Sequence, residues 1–180
     1  MRVFVLGLVI VFFSCSSSKK VLNAAEIADF KSTIENKKLE ITANSANPQA
    51  INAGVTGLQN LMPPGSSIAN INLNSIPNFF KINQDSLAID LPYYGQQQLS
   101  KSYNSTDIGV LFNGKAELIK QEYNKKKNSY LIKYRAKAVD ENYQIALTLY
   151  PNNIARFTVI SSHRTSISYN GVWKEQETNP

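Results

Sequence analysis

Beyond residue 39 the chain alternates apolar and polar residues with a period of two, beginning at Leu39-Glu40-Ile41-Thr42-Ala43. That period puts successive side chains on opposite faces of an extended strand, so one face can be buried while the other stays wet. The same pattern predicts strands over residues 68–73, 79–83, 87–91, 108–112, 115–123, 129–138, 143–150, 154–160 and 167–173. Turn-forming residues separate them. Asn113-Gly114 is the dipeptide a two-residue hairpin favours, and Pro151-Asn152-Asn153 and Asp140-Glu141-Asn142 mark two more reversals. Alternation assigns Tyr130, Ile132, Tyr134, Tyr143, Ile145, Leu147, Leu149, Ala155, Phe157 and Val159 to an inner face, with Lys133, Gln144, Thr148, Arg156 and Thr158 outside.

Residues 21–38 follow a different rhythm. Leu22, Ala25, Ile27, Phe30 and Ile34 recur near helical spacing with charged residues between them, which predicts an amphipathic helix of about four turns. Residues 44–67 are rich in Asn, Pro, Gly and Ser and read as a long excursion, with Val55, Leu58, Leu61 and Met62 as positions able to fold back on a core. If neighbouring strands pair, residues 108–173 make one antiparallel meander of about six strands, which must curl to bury a face. The expected fold is therefore mainly β (α+β): a curled antiparallel sheet or partial barrel of meander topology, covered by one N-terminal amphipathic helix. A length of 180 residues suits a single domain spanning 21–180, with no internal repeat.

The first residues carry an address. Arg2 precedes an apolar run over residues 3–13, about 16 Å long as a helix and too short to cross a bilayer. A basic start, a short apolar run and a small residue at its end describe a signal peptide, here residues 1–14. Phe12-Phe13-Ser14-Cys15 resembles a bacterial lipobox, with Phe12 where Leu is usual. That resemblance implies that Cys15 becomes a lipidated first residue, followed by the polar tether 16–20. Several acyl chains make such an anchor effectively permanent. Ser16 in place of Asp favours the outer membrane, and the lack of an acidic cluster after Cys15 favours the side facing the periplasm. The expected setting is thus the cell envelope, with the membrane itself as one partner.

Three further strings stand out: Ile41-Thr42-Ala43-Asn44-Ser45-Ala46-Asn47-Pro48; Asp85-Ser86-Leu87-Ala88-Ile89-Asp90-Leu91-Pro92-Tyr93-Tyr94-Gly95; and His163-Arg164-Thr165-Ser166-Ile167-Ser168-Tyr169-Asn170-Gly171. Together they resemble the family called domain of unknown function 4251, small envelope lipoproteins of Gram-negative bacteria, over about residues 26–174. The resemblance implies a one-domain lipoprotein. It implies no activity and transfers no catalytic residue.

Composition narrows the chemistry further. One Cys excludes an intrachain disulfide, and one His excludes multi-histidine metal sites. No Walker loop, dinucleotide glycine string or Cys-x-x-Cys motif is present, so no cofactor is expected. His163 stands near Ser161 and Ser162, but nucleophilic catalysis needs an exposed serine with a hydrogen-bonded base and acid, and no Gly-x-Ser-x-Gly elbow occurs. Asp85, Asp90, Asp107, Asp140 and Glu141 are scattered rather than paired as glycosidic chemistry requires. No residue is assigned a catalytic role, and an enzyme is the less favoured reading. The net charge of +6 comes with Lys19-Lys20, Lys37-Lys38 and Lys125-Lys126-Lys127. Basic clusters near an anchored terminus suit an anionic membrane surface. Nucleic acid is a poor match to the compartment, and the last cluster also reads as a solvated hairpin tip.

The segment 91–107 is the most suggestive surface, since long loops in compact domains often bind. The candidate binding residues are Tyr93, Tyr94, Tyr103, His163, Arg164, Tyr169 and Trp173. Pro92-Tyr93-Tyr94-Gly95 also reads as a structural corner packed on the sheet edge. The leading expectation is a lipid-anchored, non-enzymatic binding or scaffold module for an envelope peptide, glycan or lipid. The alternatives are a carrier of a lipid or hydrophobic ligand inside the curled sheet, and a hydrolase acting on envelope polymers.

Overall fold

The computed structural model describes residues 23–36, 38–49, 62–99 and 109–176. Helix α1 (Ala24–Asn36) begins with a reciprocal cap: Glu26 N donates to Asn23 Oδ1 at 2.7 Å, and Asn23 N donates to Glu26 Oε2 at 2.9 Å. Its inner face is narrow, with Phe30 and Ile34 buried. Ten strands follow: β1 (Lys38–Pro48), β2 (Ile71–Asn72), β3 (Phe79–Asn83), β4 (Ser86–Leu91), β5 (Val110–Lys115), β6 (Glu117–Asn124), β7 (Ser129–Lys137), β8 (Asn142–Leu149), β9 (Ile154–Ser161) and β10 (Ile167–Glu175).

They form a nearly closed, barrel-like antiparallel sheet with one seam, in the order β5-β4-β3-β1-β10-β9-β8-β7-β6, with β2 paired to β1. The fold class expected from the alternation is therefore the fold observed. The inner-face assignment on β7, β8 and β9 holds at each position, from Tyr130 at 5% exposure to Leu147 at 0%.

The wiring is that of a meander: strands next to each other in the chain pair from β3 to β5 and from β6 to β10, and β1 joins the two runs through β3 and β10. The exception is β5 and β6, which form the two edges; β5 lies beside β4, with Leu91 opposite Val110 and Ser86 opposite Lys115. Asn113-Gly114 makes no hairpin. A tight two-residue turn of that kind needs a left-handed residue at both central positions. Among the described residues the left-handed non-glycine positions are Gln84, Asn128 and Asn153, and Asn113 stays extended opposite Ala88. The chain runs on through Ala116, whose N–H still reaches Asp85 O at 2.8 Å, and Glu117 then pairs with Arg135 of β7. One continuous run thus changes partner from one edge to the other, so the barrel closes through the covalent chain at this seam.

The long strand β1 joins the two halves, pairing with β3 on one side and β10 on the other. Its register shifts between Ala43 and Ser45, leaving Asn44 as an extra residue. On the other side of β1, buried Asn78 just before β3 extends the β1–β3 ladder with its side chain, accepting from Ala43 N at 2.8 Å and donating to Ala43 O at 3.0 Å. Gly171 faces the bulge, where a Cβ would come within 2.1 Å of Thr42 O. Inside, Phe157 stacks on Tyr169 with centroids 5.0 Å apart and meets Phe80 edge-on at 5.4 Å. Of the excursion's apolar positions, Met62 packs against the core, and Val55, Leu58 and Leu61 lie outside the described residues.

Candidate functional site

The two ends of the barrel are built differently. One end gathers the β7–β8 and β9–β10 turns with the chain that follows β4. Here Arg164, 4% exposed, forms a two-pronged pair with Glu141, 2% exposed: Nε donates to Oε1 at 2.8 Å and Nη2 to Oε2 at 2.7 Å. Tyr143 Oη donates to Glu141 Oε2 at 2.9 Å, Ser161 Oγ donates to Oε1, and Arg164 Nη1 donates to Gly109 O at 2.8 Å. The Arg164 guanidinium also lies 4.6 Å from the Tyr93 ring centroid. Burial by itself would raise the Glu141 carboxyl, but hydrogen bonds from Arg164, Ser161 and Tyr143 and the arginine charge outweigh it and hold it at about 2. Burial, reinforced by the Glu141 charge, pushes the Tyr143 phenol up to about 12.

The chain after β4 is stitched onto this cluster. Tyr93 Oη donates to Thr165 O at 2.8 Å, Gln98 N donates to His163 O at 2.7 Å, and Thr165 N donates to Gln96 O at 2.9 Å. Gly95 is required by the close approach of Tyr93, whose hydroxyl would stand 2.2 Å from an added Cβ. Tyr169 Oη donates to Pro92 O at 2.9 Å from within the core. Leu91-Pro92-Tyr93-Tyr94-Gly95 and His163-Arg164-Thr165 are therefore two halves of one latch, and its geometry is structural.

The opposite end is open. Helix α1 lies across it, with the Phe30 ring 5.7 Å from both Tyr130 and Trp173, and Lys31 Nζ 4.3 Å from the Tyr123 ring. Tyr130 Oη donates to Glu35 Oε1 at 2.8 Å. Between the helix and the strand ends lies a cleft of about 1100 Å³. Glu26 and Asp29 come from α1, Lys126 and Lys127 from the β6–β7 turn, Asn152 and Asn153 from the β8–β9 turn, and Phe30 and Trp173 lie at its floor. Trp173 is 7% exposed, and its indole N–H is held by Tyr150 O at 2.7 Å.

The candidate residues thus separate. Tyr93, Tyr94, His163 and Arg164 sit at the latch, Tyr169 is in the core at 1% exposure, and Trp173 lies at the far end under the cleft. Cys15 and Tyr103 lie outside the described residues. His163 Nδ1 lies 2.7 Å from Ser162 Oγ, which itself accepts from Asn142 N at 3.0 Å, and Glu141 is held by Arg164 and Ser161. Base and acid therefore do not share one serine. Among the described residues no three His, Cys, Asp or Glu side chains are placed to hold a metal ion. Sequence reasoning missed Glu141 as the partner of Arg164, because only the β8–β9 register, with Tyr143 opposite Ser161, brings their turns together. It also missed Glu26 and Asp29, which read as the wet face of an amphipathic helix.

No curated protein matches the chain. Among solved structures, the crystal structure of a DUF4251 family protein from Bacteroides eggerthii DSM 20697 is similar in fold, with a TM-score of 0.53 and 17% identity over 85% of this chain and 89% of that one. A family model described as "Domain of unknown function (DUF4251)" matches residues 22–173, the helix and almost the whole barrel. The chain belongs to the DUF4251 family.

Proposed function

We propose that this protein is a lipid-anchored, non-enzymatic binding module of the cell envelope, held through Cys15 in the outer membrane and facing the periplasm, with the helix-end cleft as its binding surface. The observation that carries this reading is the cleft itself. It measures about 1100 Å³ and stands at the end of the barrel where the N-terminal chain arrives at Asn23. The latch end supports the same reading by contrast, since its polar groups are engaged with one another. Stacked rings across the interior favour a surface site over an enclosed ligand.

The anchor is tested by Cys15→Ser in cells fed a labelled fatty acid. The parent chain is expected to carry the label and to sediment with membranes, and the variant to lose both. A variant that stays labelled and sedimented overturns the anchor.

A further inference from the structure

The cleft has an internal charge order. Glu26 and Asp29 line it from the helix, Glu175 from β10 and Lys126 and Lys127 from the β6–β7 turn, and the amides of Asn152 and Asn153 stand nearby. Phe30 and Trp173 form an apolar floor but are 4% and 7% exposed, so their ring faces are already covered by the protein. A cleft with cationic and anionic walls suits a ligand that carries both signs close together. Carboxylates and amides are hydrogen-bond acceptors, which suits a primary ammonium with three N–H donors. A quaternary ammonium has no such donors and is recognised by cages of several open aromatic faces; of the aromatic residues lining this cleft, Phe30 and Trp173 are buried and Tyr150 alone is half-buried.

The position of the cleft says where such a ligand would come from. Helix α1 begins one residue after Asn23, and Asn23 stands eight positions beyond Cys15. Eight residues reach at most about 28 Å even fully extended. If Cys15 is acylated, the start of α1 is tethered within about 30 Å of the lipid headgroups, so the cleft can reach them. The Lys125-Lys126-Lys127 turn lies at the same end, where lysines near a bilayer are drawn to phosphate.

We infer that the cleft binds the phosphoethanolamine headgroup of a lipid in the anchoring leaflet. Lys126 and Lys127 meet the phosphate, and Asp29 meets the ammonium. This inference rests on the anchored binding-module reading and names the ligand of that same cleft.

The test uses the full chain in maltoside micelles, titrated with glycerophosphoethanolamine and observed through the indole N–H of its only tryptophan, Trp173. Glycerophosphocholine, glycerophosphoglycerol and a zwitterionic dipeptide are titrated in parallel. The expected result is a saturable shift with the ethanolamine ester and at least fivefold weaker binding of the other three. Asp29→Lys and the Lys126→Glu/Lys127→Glu pair should each abolish the shift while leaving the melting temperature unchanged. Equal binding of the glycerol ester overturns the inference in favour of a plain basic patch. Equal binding of the choline ester removes the role of the ammonium donors. Tighter binding of the dipeptide makes the cleft a peptide site, and no shift with any compound removes the ligand altogether. Acylation of Cys15 is read by mass on the same preparation. An acylated chain that ignores the headgroup fails the inference alone, and an unacylated chain that binds it fails the anchor alone.

Discussion

The latch end and the cleft end of this barrel share strands but divide its chemistry. At the latch, an arginine and a glutamate lie almost wholly out of water, and their charges are matched by each other, two hydroxyls, a backbone carbonyl and an aromatic face. At the cleft, the charged side chains of Asp29, Lys126 and Lys127 stand exposed around a hollow. Burial makes the first arrangement intolerant, because a lost partner strands a charge in a dry site. Exposure makes the second tolerant, because water screens what is left. A cluster of polar residues is thus not by itself a sign of function. The end with the most recognisable motifs is the end whose groups are already engaged.

The largest expected effect lies at the latch. Arg164→Ala leaves the Glu141 carboxylate buried without its cation and should cost about 3–5 kcal/mol in urea unfolding, whereas Arg164→Met with Glu141→Leu should recover most of that loss. A single substitution costing under about 1 kcal/mol would erase the contrast between the two ends.

Acid should act on the same pair. The Glu141 carboxyl is held at about 2 in the folded chain against an ordinary 4.5. A depressed carboxyl contributes stability that is fully present above its unfolded value and is lost as pH falls through the folded one. The contribution, up to about 3 kcal/mol, should therefore fade between pH 4.5 and 2. The urea midpoint followed over that window should fall steeply in the parent and much less in Glu141→Gln.

Next comes the bulge that serves both ends. Gly171→Ala forces a methyl against Thr42 O, and a forced contact in a packed site costs about 1–3 kcal/mol, read as a lower melting temperature. An unchanged melting temperature would mean that β1 slides easily past β10 at Asn44. The smallest effect is expected at the cleft, where Asp29→Lys and Lys126→Glu should each shift unfolding free energy by no more than about 0.5 kcal/mol. A loss above about 2 kcal/mol there would make the cleft a structural element like the latch.

Much of this molecule was legible in residue order. Tyr130, Ile132 and Tyr134 point inward because a period of two leaves a strand no other choice, and α1 ends near Asn36 because Asn and Lys displace its apolar stripe. Asn113-Gly114 shows where local reading stops. The dipeptide favours a hairpin by itself, but the β4 edge offers this run a longer pairing, and the pairing prevails. Arg164 and Glu141 are 23 residues apart on separate turns. No spacing rule links them, since their contact depends on the β8–β9 register and on where the chain returns after β4.

Residue order alone therefore settled most of the strands, the buried faces of β7 to β9, the helix and the resemblance to the family, because each depends on local periodicity or contiguous strings. The strand expected over 68–73 shortens to Ile71–Asn72. Tertiary structure decided which edges pair, where the barrel closes, which charges are buried, and that carboxylates of α1 face lysines of the β6–β7 turn. Those outcomes depend on contacts between residues far apart in the chain, where loop closure and register, rather than local preference, determine the neighbours.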